Sequence, residues 1–117
     1  MKSYESLKNY KEFKEVFDNS KSFANKYLVM YVKADDKGKE KLDIQVSEKV
    51  GNSVVRHHLT RLIREVYRLN KNTFNSGLDV VVIARITAKD ISYKEMESAF
   101  LHLAKLHKIV AVNSKVN

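Results

Sequence analysis

The sequence predicts an α+β fold: one domain, with a mixed and roughly four-stranded sheet packed against three helices in the order α-β-β-β-α-β-α. Three observations predict it. The 117 residues suffice for one packed core and not for two. Segments with a two-residue apolar period interchange with segments of helical period. A strand–helix–strand unit over 42–47, 52–69 and 78–86 places two strands and a connecting helix in one layered body. Residues 1–117 are read as a single domain, with 1–8 and 111–117 expected to be loosely held ends.

The first helix is expected over 10–18, capped by Asn9. Tyr10, Phe13, Val16 and Phe17 then share one side. Such rings suit either the end of a core or a groove edge where bases stack. Asp18-Asn19-Ser20-Lys21 is a turn. A short extended segment at Ser22–Ala24 and a break at Asn25-Lys26 lead into YLVMYV over 27–32. There Tyr27, Val29 and Tyr31 alternate with Leu28, Met30 and Val32. If helices cover the second set, the first presents Tyr27 and Tyr31 to a cleft. The charged run KADDKGKEK over 33–41 reads as a hairpin connection. Leu42, Ile44 and Val46 then alternate with Asp43, Gln45 and Ser47, the pattern of a half-buried strand.

The second helix begins after Gly51-Asn52, where Asn52 is a suitable N-cap and Gly51 allows a backbone that other residues would resist. At 100° per residue, Val55, Leu59, Leu62, Val66 and Leu69 form a narrow apolar arc. His57, Arg61, Arg64 and Arg68 form the opposite arc, with Arg56 on the flank. His58 is expected near the flank, against another element. Glu65 is the sole acid on this helix. Asn75-Ser76-Gly77 is a turn, and LDVVVIARI over 78–86 is too apolar to leave a face in water. It is expected as a central strand, suited to a parallel pair. Ser92 and Glu95 make the capping box of a third helix. Met96, Ala99, Phe100, Leu103, Leu106 and Val110 supply its buried stripe to about residue 110.

Composition narrows the function. There are 22 Lys and Arg against 14 Asp and Glu, a net charge of +8 and a pI near 9.6, which favours a polyanionic partner. Absence of cysteine excludes thiol chemistry, disulfides and cysteine-ligated metals. The start, MKSYESLKNYKEFK, is too polar for a signal peptide, and no apolar run approaches the roughly 20 residues of a membrane span. A cytoplasmic protein with no membrane and no obligatory protein partner is expected. Chemistry of its own is not evident. The carboxylates are scattered beside lysines, no G-x-S-x-G elbow or phosphate-cradling G-x-x-x-x-G-K-[ST] loop is present, and His57-His58 and His102…His107 have poor spacing for a shared metal. The planar guanidiniums of the second helix suit phosphates.

The run Lys49-Val50-Gly51-Asn52-Ser53-Val54-Val55-Arg56, followed by Arg61-Leu62-Ile63-Arg64-Glu65, resembles the signature of the protein subunit of bacterial ribonuclease P. Phe13-Lys14-Glu15-Val16-Phe17, Phe23-Ala24-Asn25-Lys26 to Tyr31, and Val80-Val81-Val82-Ile83-Ala84-Arg85 resemble its first helix, first long strand and late strand, in the family's order. The chain departs from the family's usual residues at Glu48, His57, His58 and Thr60. The resemblance implies the fold of the second domain of a small-subunit ribosomal protein, with a left-handed β-α-β crossover that is an exception to the usual hand. It also implies a ribonucleoprotein that removes the 5′ leader of precursor tRNA. In it the RNA subunit performs a magnesium-dependent hydrolysis and the protein alone is not catalytic. By position, the resemblance assigns RNA binding to Lys49, Asn52, Arg56, His57, Arg61, Arg64 and Arg68, and the leader cleft to Phe13, Phe17 and Tyr31. The partners implied are the catalytic RNA and precursor tRNA, with Mg2+ held mainly by the RNA. A non-catalytic RNA-binding module of ribosomal type, or a diverged homologue, is the alternative.

Overall fold

A strand that is apolar on both faces needs cover on both sides of the sheet, which an interior strand obtains most readily. Leu78–Ala84 is such a strand, and it takes an interior place. The structure, a computed structural model, describes residues 21–34, 40–74 and 77–110. The helix expected over 10–18 and both chain ends fall outside the described residues. Within them the elements are β1 (Lys21–Ala24), β2 (Leu28–Ala34), β3 (Lys41–Val46), α1 (Ser53–Leu69), β4 (Leu78–Ala84) and α2 (Tyr93–Leu106), with single 3-10 turns at Lys71–Thr73 and Ile86–Ala88.

The sheet order is β1-β2-β4-β3. β2 pairs antiparallel with β1 and with β4, while β3 runs parallel to β4. This corrects the expected hairpin across 33–41, since β2 and β3 are not neighbours. Both edges of β2 are taken, one by β1 through the tight turn at Asn25-Lys26 and the other by β4. β3 therefore pairs on the far side of β4. Its parallel direction follows from the intervening α1, which carries the chain back along the sheet before β4 begins.

That topology sends both helices over one face. Leu28, Met30, Leu42, Ile44, Val80, Val82 and Ala84 on the sheet, Leu59, Ile63, Val66 and Tyr67 on α1, and Met96, Ala99, Phe100 and Leu103 on α2 make one core. Full burial of each large side chain contributes roughly 1.5–3 kcal/mol. The rings of Tyr67, Phe74 and Phe100 meet at centroid distances of 5.7 to 6.4 Å and tie the end of α1 to α2.

The apolar arc of α1 is rotated from the one expected. Its buried centre is Leu59, Ile63, Val66 and Tyr67. Val55 and Leu62 pack only partly at its flank, and Leu69 is 57% exposed. Tyr67 draws the helix round by packing its ring against both Phe74 and Phe100. In α2 the stripe also ends early: Leu106 is exposed and the helix stops there rather than near 110. Lys108 adopts a left-handed φ of 60°. Its N–H bonds the Lys105 carbonyl, and the Ile109 N–H bonds that of Ala104, a Schellman turn. The turn buries Ile109 and lets Val110 bridge to Phe74. The start of α2 follows the sequence closely, with the Ser92–Glu95 capping box formed in both directions.

Two side chains pin β1 and β2 to α2. Asn25 accepts from the Tyr27 and Leu28 N–H groups through Oδ1 and donates from Nδ2 to the Ala99 carbonyl. His107 Nε2 lies 2.9 Å from the Met30 carbonyl oxygen, so that nitrogen carries a proton and donates. The Phe23 ring meets the imidazole edge-on at 4.8 Å. Burial holds the His107 pKa below its ordinary value, against a smaller opposing effect of the Met30 hydrogen bond. Folding thus favours neutral His107. Its contribution is complete above the unfolded pKa of about 6.5 and is lost as pH falls through the folded-state value. The urea midpoint should therefore fall between about pH 7.5 and pH 5, and His107→Gln should flatten that part of the profile. Loss caused by Glu65 and Glu95, whose pKa values are lowered from 4.5, belongs to more acidic solution.

Candidate nucleic-acid interface

The start of α1 is built from five hydrogen bonds. Ser47 turns the chain, its carbonyl accepting from the Val50 N–H and its hydroxyl from the Lys49 N–H. Asn52 stands in extended conformation as the N-cap, and its Oδ1 accepts from the Val55 N–H at 3.0 Å. Arg56 Nε donates to the Gly51 carbonyl at 3.1 Å. Thr60 Oγ1 donates to the Arg56 carbonyl at 2.9 Å. Gly51 is required here by close approach and not, as expected, by an unusual backbone angle. A Cβ at this position would lie 2.8 Å from Cβ and Cγ1 of Val55, inside van der Waals contact.

Of the predicted helix residues, Lys49, Asn52, His57, Arg61 and Arg68 are exposed, while Arg56 and Arg64 are half-buried. His57, Arg61 and Arg68 lie on the side of α1 away from the core. Arg56 turns toward the helix start, where its guanidinium has a structural task. Arg64 is shielded at Nε. Arg68 is held by Glu65, with Nε 3.2 Å from Oε1 and Nη2 2.6 Å from Oε2, and this hydrogen bonding is the main reason that the Glu65 pKa is lowered. An exposed pair of this kind is worth little in water, so a phosphate can compete for the guanidinium. Ser53, Val54, His57, His58 and Arg61 line a shallow hollow of about 470 Å³. His58 is exposed there, not packed against another element as expected.

The second predicted surface is the sheet face away from the helices. Tyr31 and Ile83 pack there around the fully buried Val81. Tyr31 stands across from Val81, which stands across from Asp43. The next row is Lys33, Asp79 and Lys41, an alternation of charge across three strands. Tyr27 does not join this face. It precedes β2 and packs toward the main core, with the Lys26 Nζ 5.4 Å from its ring centroid. Phe13 and Phe17 lie outside the described residues. Asp43 and Asp79 are 3% and 8% exposed, whereas alternation alone had set Asp43 on a polar side. The only sign in the sequence was an acid, Asp79, inside the most apolar run of the chain.

A family model described as Ribonuclease P matches residues 1–108. This chain belongs to the ribonuclease P protein family. It is 59% identical over 107 residues to the ribonuclease P protein component of Lachnoclostridium phytofermentans, with 92% of each chain covered. It is 41% identical over 116 residues to that of Alkaliphilus oremlandii, covering 99% of this chain and 100% of the relative. The Staphylococcus aureus ribonuclease P protein structure superposes with a TM-score of 0.81 at 32% identity, over 93% of this chain and 99% of that one. The Thermotoga maritima ribonuclease P protein gives 0.79 at 29%, over 87% and 96%. As a ribonuclease P protein, the chain is a subunit of an endoribonuclease ribonucleoprotein that processes the 5′ leader of tRNA precursors. The expected α+β fold agrees with these neighbours.

Gly51→Ala tests how the ribonuclease P protein sets the start of α1. Val55 is β-branched and has little rotamer freedom with which to yield. The substitution should destabilise the fold by about 1–3 kcal/mol in urea titration. Adding Val55→Ala should recover part of that loss.

Proposed function

We propose that α1 docks the catalytic RNA of ribonuclease P while the sheet face carrying Tyr31 receives the 5′ leader of precursor tRNA. The observation that carries the reading is the division of α1 into a core-facing side and an outward line of His57, Arg61 and Arg68. A helix packed on a sheet is rigid, so these donors are held in place before RNA arrives. Lys49, Asn52, Arg56 and Arg64 complete the RNA-binding set. Asn52 and Arg56 act there largely by holding the helix start in shape, and Arg61 and His57 by direct contact.

The leader cleft is assigned to Phe13, Phe17 and Tyr31. An unpaired leader offers ring faces and phosphates, and such strands are bound by stacking and charge with little reading of base edges. Tyr31 on the sheet face, with Lys33 and Lys41 one row away, suits that chemistry. The hydrolysis belongs to the RNA subunit with its magnesium. Among the described residues no group of three His, Cys, Asp or Glu side chains could hold a metal ion. No helix among them is long and apolar enough to cross a membrane, and the proposed place of work is the cytoplasm.

Reconstitution with a bacterial ribonuclease P RNA tests the reading. The protein alone should leave precursor tRNA intact, and should lower the magnesium needed by the RNA. Arg61→Ala should weaken RNA-subunit binding with a salt slope shallower by about one. Tyr31→Ala should instead weaken precursor tRNA binding about 5- to 160-fold, the range of one lost base stack, and only where a leader is present. No stimulation by the unaltered protein would overturn the assignment, and equal loss on leaderless tRNA would remove Tyr31 from the leader cleft.

A further inference from the structure

The hollow on the outward side of α1 carries two imidazoles, His57 already assigned to RNA contact and His58 so far without a task. Its lining is Ser53, Val54, His57, His58 and Arg61, all from one helix. Successive 100° steps put these five residues within an arc of roughly 140°, on the side opposite the buried Leu59, Ile63, Val66 and Tyr67. Both histidines are exposed and so reach solvent and ligand without moving the core. Arg61 is the charged residue that accompanies them. No acidic side chain and no residue of another element lines the hollow among the described residues. Arg56, on the flank beside His57, is turned to the Gly51 carbonyl; Glu48 and Lys49 lie in the turn before the helix, and further along α1 come Arg64, Glu65 and Arg68. Glu65 is committed to Arg68.

We infer that Ser53, His57, His58 and Arg61 form a proton-linked phosphate site, which makes docking of the RNA subunit tighten as pH falls. The inference rests on the RNA-docking role of α1 and adds a chemistry to it. Arg61 supplies a permanent charge with planar donors. Each imidazole is a neutral donor–acceptor at high pH and a cation with two donors at low pH. A phosphate in the hollow favours the cation, so the imidazole pKa is higher in the complex than in the free protein. By linkage, affinity rises with falling pH while binding takes up protons, and levels off once the free protein's imidazoles are protonated as well. The adjacent histidines point about 100° apart on a helix. They are therefore too divergent to chelate one metal ion, and each offers its own donor to the phosphate backbone.

The test measures binding of the full chain to a transcribed ribonuclease P RNA from Lachnoclostridium phytofermentans as a function of salt, at about pH 5.5 and about pH 8. The expected log–log salt slope is steeper by about one to two at the lower pH, since each new charge releases roughly 0.9 counterions. In the double variant His57→Gln, His58→Gln the two slopes should coincide. Circular dichroism of that variant should match the unaltered chain, because both positions lie off the core. The imidazole proton resonances of His57 and His58 should titrate at higher pH in the presence of RNA. Equal slopes in the unaltered protein overturn the inference while leaving RNA docking intact. So does a pH dependence that survives in the double variant. Absence of saturable binding at either pH overturns the docking assignment itself, and this inference with it.

Discussion

Water is excluded from three successive residues of β4, Val80, Val81 and Val82, although neighbours on a strand face opposite ways. The sheet must therefore be covered or self-packed on both sides at its middle. One side is supplied by α1 and α2. On the other, Tyr31 and Ile83 close around Val81. Because β4 is interior, β2 and β3 must flank it, and the parallel β3–β4 pair needs a connection long enough to return along the sheet. α1 is that connection. The helix proposed to dock RNA is also the crossover that the central strand requires.

This double duty explains how charge is distributed on α1. Residues near the sheet or the helix start serve the fold even when they are basic. Arg56 donates to Gly51, and Asn52 caps the Val55 N–H. Residues on the far side have no such obligations, and His57, His58 and Arg61 stand there together. Arg68 lies between these cases, paired with Glu65 but exposed. A basic helix is thus less uniform as an interface than its count of arginines suggests. The donors that reach a phosphate freely are those whose removal leaves the core untouched.

The other sheet face combines a ring, a buried valine and alternating charges in adjacent rows. Tyr31 and Val81 provide apolar surface, while Lys33, Asp79 and Lys41 lie one row further along. Strand register brings these groups together from three separate stretches of chain. Asn25, Arg85 and Thr87 secure the end of the sheet where β2 begins. Arg85 donates to the Asn25 carbonyl, and Thr87 donates to that of Lys26. β2 is anchored at one end and paired along both edges, so Tyr31 has little freedom to shift.

Much of this was legible in local pattern. The start of α1 at Asn52, the capping box of α2 and the apolar run of β4 are short-range features, set by hydrogen bonds between near neighbours and by the period of apolar residues. The outward line of His57, Arg61 and Arg68 follows from the same helical period, and the ordered motifs pointed to the ribonuclease P protein family. Only tertiary structure decided which strands pair, because a charged loop between β2 and β3 does not reveal that β1 and β4 have taken both edges of β2. Tertiary packing also rotated the buried side of α1 toward Tyr67, buried Asp43, turned Tyr27 toward the core and left His58 open beside Arg61. Each of these depends on what stands opposite a side chain across many residues of sequence, and the period within a segment does not carry that information.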